Sequence, residues 1–168
     1  TYYARGWPKS RAVDGFVTRY EYDSVGQLKK LTLPDGSFIT QDYDDAHRLT
    51  DIRDNLGNHI HYELDPMGNR ISETINDELG VLRKSARQVI NGLNQIEKQI
   101  SVIDSTESIV TGYFFNPNGY LSKVIDPRDP AIGENGALPA EPQVYSEVIY
   151  DALNRGIAHI DKLGGVTS

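Results

Sequence analysis

Three sets of side chains in this sequence of 168 residues have the composition of a chemical site. His59, His61 and Glu63 alternate in "HIHYEL", so on a strand they share one face and present two imidazoles and a carboxylate to a metal. A plain polar strand face explains them with fewer demands, because zinc draws ligands from separate elements braced by outer partners. Asp23, Asp44, Asp65 and Asp151 form a second set, acids of the kind that cleave glycosidic bonds when two face each other. They recur beside turn residues, however, where a carboxylate caps backbone amides. "DYDDAH" (42–47) is acidic but lacks the remaining ligands of a calcium loop. Arg48, Arg70 and Arg155 are the third set, suited to an anion or sugar, or to ion pairs with carboxylates of adjacent units. No serine–histidine–aspartate set, nucleotide loop or zinc-protease motif is present. The expectation is a chain with no catalytic residue, no metal and no cofactor.

What positions these residues is a repeat. Six segments align: "YDSVGQL" (22–28), "YDDAHRL" (43–49), "LDPMGNR" (64–70), "INGLNQI" (90–96), "FNPNGYL" (115–121) and "YDALNRG" (150–156). Each opens on a large apolar or aromatic residue, Tyr22, Tyr43 and Tyr150 among them. The second position is Asp23, Asp44, Asp65, Asn91, Asn116 and Asp151; four places after the first come Gly26, His47, Gly68, Asn94, Gly119 and Asn154. Glycine, asparagine and histidine share a tolerance for positive φ, so the spacing predicts a left-handed residue there. The Asp or Asn side chain is expected to accept hydrogen bonds from amides two or three residues on. A second punctuation falls 14 residues after the tyrosines, at Gly36, Gly57 and Gly164, which gives each unit two turns and two strands.

The remaining numbers agree with a β architecture. Glycine (15) and tyrosine (10) are frequent, and turn residues break almost every decade of sequence. Glu78–Asn91 is the best helical stretch, short and without an apolar stripe. Arg70 and Gly156 interrupt the apolar sixth position, which predicts a bulge in those two units. Net charge is −7 with both signs mixed, which excludes a basic nucleic-acid surface; no apolar run has the length of a membrane span. The expected organisation is a lead-in (1–14), five hairpin units (15–125), a proline- and glycine-rich loop (126–143) and a sixth, truncated unit (144–168), read as a piece of a longer array.

The Tyr-Asp-x-x-Gly-x-Leu core followed by Pro-Asp-Gly, as in "RYEYDSVGQLKKLTLPDG" (19–36), resembles the YD repeat of bacterial Rhs proteins, toxin-complex C subunits and teneurins. "YDALNR" (150–155) is similar to a known variant of that motif. The resemblance implies an all-β fold of tandem hairpins in a curved or spiralling antiparallel sheet, a strip of a larger hollow shell. It further implies a non-enzymatic structural role, enclosing or presenting a C-terminal toxin or effector domain in bacterial competition. The implied partners are the rest of the array, the effector and secretion-apparatus proteins, and the implied location is secreted or at the cell surface. The alternative is an extracellular module that binds glycans or a cell-surface protein through exposed tyrosines. The family's Asp-Pro self-cleavage motif is not matched by "LDPMG" (64–68) or "IDPRDP" (125–130).

Overall fold

In the computed structural model the described residues are 1–103, 107–129, 132–143 and 145–161, with 165–167 as backbone. Among them there is no helix. The chain divides into two units, Thr1–Ser85 and Ala86–Ser168. Unit 1 holds β1 (Ser10–Val13), β2 (Phe16–Tyr22), β3 (Leu28–Thr32), β4 (Phe38–Tyr43), β5 (Leu49–Asp54), β6 (His59–Leu64) and β7 (Arg70–Asn76). β8 (Leu82–Ile90) lies across the division. Unit 2 continues with β9 (Ile96–Val102), β10 (Ser108–Phe115), β11 (Leu121–Ile125), β12 (Tyr145–Tyr150), β13 (Gly156–Asp161) and β14 (Gly165–Thr167). From β1 to β7, and again from β9 to β14, every strand pairs antiparallel with the next, the low-contact-order meander that hairpin connections favour.

One loop design closes nearly every hairpin. The first residue's amide bonds the carbonyl four residues on, and the fourth residue's amide bonds the first residue's carbonyl. In 23–27 these are Asp23 N to Gln27 O at 2.9 Å and Gly26 N to Asp23 O at 3.4 Å. The pattern recurs at 44–48, 65–69, 91–95, 116–120 and 151–155, and also in the second turns 33–37, 54–58 and 77–81. The geometry is a turn followed by one left-handed residue, which matches the twist of the flanking strands. Among the described loops β1–β2 differs, with a two-residue loop in which Asp14 and Gly15 both have positive φ, and β11–β12 differs in its long connection.

Two expectations change here. Glu78–Asn91 is not helical: its start lies in the 77–81 loop, where Gly80 takes φ 77°, and its remainder is β8. With no apolar stripe to bury, the segment gains more from ladder pairing than from helix. The bulge is also general, not confined to the units of Arg70 and Gly156. Register shifts next to Tyr22, Tyr43, Leu64, Phe115 and Tyr150, and the skipped residue is Lys29, Thr50, Ile71, Ser122 or Ile157. It is a product of the loop, not of the residue at the sixth position.

In unit 1 the register sorts side chains by face. Gln41, Ile52, Ile60 and Ile75 lie opposite one another across β4–β7, beside Tyr20, Leu31 and Ile39 across β2–β4. The other face carries Asp42, Asp51, His61 and Thr74 in one row and Thr40, Arg53, His59 and Asn76 in the next. Among described residues only Tyr62 and Asp77 of this unit are buried. In unit 2 the described residues of 126–143 carry no strand, and Ile132, Gly133, Gly136 and Leu138 lie against β9 and β10. Lys98 Nζ donates to the carbonyls of Gly133 (2.8 Å) and Gly136 (2.9 Å), and Ile100, Val110 and Ile125 are buried.

Candidate functional site

The recurring loop is where the conspicuous residues gather. φ is 101° at Gly26, 65° at His47, 92° at Gly68, 63° at Asn94, 83° at Gly119 and 58° at Asn154. Gly36 and Gly57 take 90° and 104° in the second turns; Gly164 lies outside the described residues. Asp23 Oδ1 accepts from the amides of Val25 (3.0 Å), Gly26 (2.8 Å) and Gln27 (2.9 Å). Elsewhere the bonds come from amides two and four residues on: Ala46 and Arg48 to Asp44, Leu93 and Gln95 to Asn91, Asn118 and Tyr120 to Asn116, Leu153 and Arg155 to Asp151. The reach is thus one residue longer than expected, because the loop closes at the fourth residue. Asp65 accepts from the amide of Asn69.

The second carboxylate oxygen is engaged too. Asp44 Oδ2 takes Arg48 Nε at 2.7 Å, Asp65 Oδ2 takes Asn69 Nδ2 at 2.8 Å and Asp151 Oδ2 takes Arg155 Nε at 2.7 Å. Arg48 and Arg155 therefore pair inside their own loop, not with adjacent units, since the five-residue loop returns each guanidinium to its aspartate. Arg48 reaches its neighbour through the Asp65 carbonyl (2.9 Å). Arg70 instead meets Glu73 and lies 3.6 Å over the Tyr62 ring. At Asp23, desolvation alone raises the carboxyl, but the three amides and nearby His47 outweigh it. Backbone bonding from Arg48 holds Asp44 down, the Asn69 amide holds Asp65 down, and backbone bonding from Arg155 holds Asp151 down. A general acid needs the opposite shift and a free oxygen. This column is built to close loops.

The tyrosine of the motif ties one hairpin to the next. β3–β4 pairing ends at Lys30↔Thr40, so the Leu28 carbonyl has no β4 amide; Tyr43 Oη donates to it at 3.0 Å. Tyr150 Oη does the same for the Leu121 carbonyl at 2.7 Å, beyond the last β11–β12 pair, Lys123↔Glu147.

Sequence reasoning missed several members. Asp54 and Asp77 cap the second turns as Asp23 caps the first, and the aspartate in "DNLG" and "DELG" three residues before the glycine is the signal that marks them. Residues 3–7 form a further loop of the same design, with Tyr3 N bonded to Trp7 O and Gly6 at φ 82°; Tyr3 in place of aspartate hid it. Trp7 then packs on Gly26, where an added Cβ would stand 2.5 Å from the indole, and lines an open cleft with Tyr3, Arg5 and Tyr22.

On the polar face of unit 1, Asp51 joins the two histidines in place of Glu63. His59 Nε2 lies 2.7 Å and His61 Nδ1 3.0 Å from Asp51 Oδ1. Burial alone raises the Asp51 carboxyl, but hydrogen bonds from His59, His61 and Thr50, with the charge of His61, hold it at about 2.

The Rhs repeat family model matches residues 2–37 and 43–80, which takes in the loops at 3–7, 23–27, 44–48 and 65–69. No curated protein sequence matches the chain. Among solved structures, the crystal structure of TcdB2-TccC3-Cdc42 is similar over 88% of this chain, with a TM-score of 0.51 and 16% identity. That of TcdB2-TccC3 without its hypervariable C-terminal region gives 0.50 and 16% over the same share. This chain spans 7% of the length of either. At that identity the likeness is one of fold.

Proposed function

We propose that this chain, whose residues 2–37 and 43–80 match the Rhs repeat model, is a YD-repeat protein of the Rhs type and a strip of the wall that encloses or presents a toxin or effector domain. One observation carries the reading: the repeated aspartates, with Arg48, Arg155 and the motif tyrosines Tyr43 and Tyr150, are consumed in closing loops and joining hairpins, and what they leave is a sheet with two usable faces. A sheet of this kind gains burial only from what lies against it, which suits a wall with a cargo on one side. The hypervariable C-terminal region named for one neighbour supports a passenger attached beyond the repeats. Export from a bacterial cell follows as part of the same reading, with the rest of the array, the effector and a secretion apparatus as partners. Exposed apolar residues at loop tips, Val25 and Met67 in unit 1 and Leu93 and Leu153 in unit 2, fit edges covered by further repeats.

The test is protease challenge of the longer natural polypeptide that contains this chain. A passenger region that resists digestion while the wall is intact, and becomes sensitive once hairpins are disrupted, is the expected result. Equal sensitivity in both states contradicts enclosure. The second reading, a glycan-binding module, is favoured by the cleft lined by Tyr3, Trp7 and Tyr22. It requires a glycan-array signal that Trp7→Ala removes.

A further inference from the structure

We propose that Asp51, His59 and His61 form a binding site for a divalent transition-metal ion of the zinc class. The β5–β6 hairpin builds it. His59 and His61 are two apart on β6 and so share a face, while the register sets Asp51 of β5 directly across from His61. Loop 54–58 locks that register, with Asp54 Oδ1 accepting from the amides of Leu56, Gly57 and Asn58. The ligands thus come from two strands fixed relative to each other, which answers the objection that sequential histidines lack a framework.

The three ligand atoms lie within 4.8 Å of one another. Bonds of about 2.0–2.2 Å in tetrahedral array need ligand atoms roughly 3.3–3.5 Å apart. The present separations of 2.7 and 3.0 Å from Asp51 Oδ1 are therefore several tenths of an ångström short of that array, within reach of side-chain rotation. The ion replaces the single hydrogen bond that now joins each ring to the carboxylate. Two imidazoles and one carboxylate select zinc, nickel or copper over magnesium or calcium, which take oxygen ligands in larger number. His61 is 41% and Asp51 15% exposed in their side chains, so the open coordination position faces solvent.

Arg53 sets the limit on affinity. Its Nη2 is 3.1 Å from Asp51 Oδ1 and its Nη1 2.7 Å from Asp42 Oδ2. Metal entry breaks the first contact and leaves the second, so the guanidinium stays anchored on Asp42, where Lys29 also pairs. The remaining histidines do not compete for the ion as a cluster: His47 bonds Gln27 through Nδ1, and His159 stands exposed on β13. The site is independent of whether the strip encloses a cargo.

Titration calorimetry with zinc chloride, then nickel chloride, tests it on the purified chain. One equivalent is expected to bind, with at least a tenfold loss of affinity in His59→Gln, His61→Gln and Asp51→Asn, and none in His159→Gln. Arg53→Gln is expected to tighten binding. Absence of saturable binding, or equal binding by all variants, overturns the proposal, and so does displacement by equimolar calcium. Ring-nitrogen NMR of the unaltered chain needs no variant: zinc must move the His59 and His61 signals, and movement confined to His47 or His159 contradicts the site.

Discussion

The two units are made of the same hairpin and differ in what lies on it. Unit 1, among described residues, buries only Tyr62 and Asp77; unit 2 buries Lys98, Ile100, Val110, Gly112, Ile125, Asp129 and Pro142. The difference traces to the 126–143 loop. Gly112 has no side chain, so Leu138 and Ile132 of the loop come down beside it together with Ile125; a Cβ at 112 would stand 2.6 Å from Leu138. Buried apolar area stabilises by about 25 cal/mol per Å², and in unit 1 no second layer supplies it. Hairpins of this type therefore hold their shape by loops, ladders and tyrosine ties, and acquire a core only where something covers them.

The largest effect should come from truncating that cover's anchor. Ile125→Ala is expected to cost about 2–5 kcal/mol, as for a fully buried aliphatic side chain. Ile60→Ala, a half-buried position on the open face of unit 1, should cost less than half as much in the same urea titration. Equal losses would erase the distinction between the units. Next in size is a contrast between two turn glycines. Asparagine tolerates the left-handed region, so Gly119→Asn should be mild, its Cβ meeting only the flexible Gln95 amide at 3.4 Å. Gly26→Asn should cost about 1–3 kcal/mol, because Trp7 occupies the space whatever the dihedral. The urea midpoints of the two variants compare them directly.

Tyr43→Phe removes the hydroxyl that serves the Leu28 carbonyl and should cost about 0.5–1.5 kcal/mol, with local amides of β3 and β4 exchanging faster. The smallest effect per residue is in acid. Asp23, Asp44, Asp54, Asp65 and Asp77 are all held below the usual 3.8 in unit 1. A carboxyl lowered by folding stabilises above its unfolded value and loses that contribution as pH falls through its folded value. Unit 2 has Asn91 and Asn116, which do not titrate, at two of its three matching places, and there only Asp151 is held down in the same way. Below about pH 4 unit 1 should therefore loosen first, read as earlier loss of its amide signals. Simultaneous loss would show that the loop aspartates do not set acid stability.

Much of this was legible before any coordinates. The left-handed position and its capping neighbour are local chemistry, and a local rule repeated in sequence reads off directly: all six positions carry positive φ. What stayed hidden depended on partners distant in sequence. Asp51 meets His61 only through a strand register, and Trp7 meets Gly26 only because residues 3–7 form a loop whose aspartate is replaced by Tyr3. Nothing in the proline- and glycine-rich composition of 126–143 says that Leu138 seats on Gly112. Lys98 likewise looks like any strand lysine until two glycine carbonyls close over it.

Residue-resolved amide exchange tests the central claim, that one five-residue loop repeated along the chain is what builds the strip. The amides of Asp23, Asp44, Asp65, Asn91, Asn116 and Asp151 each bond the carbonyl four residues on, and they should be protected together while those of Ser24, Asp45, Gly92, Ala152 exchange freely. Fast exchange at all six, with protection confined to the strands on either side, would contradict it.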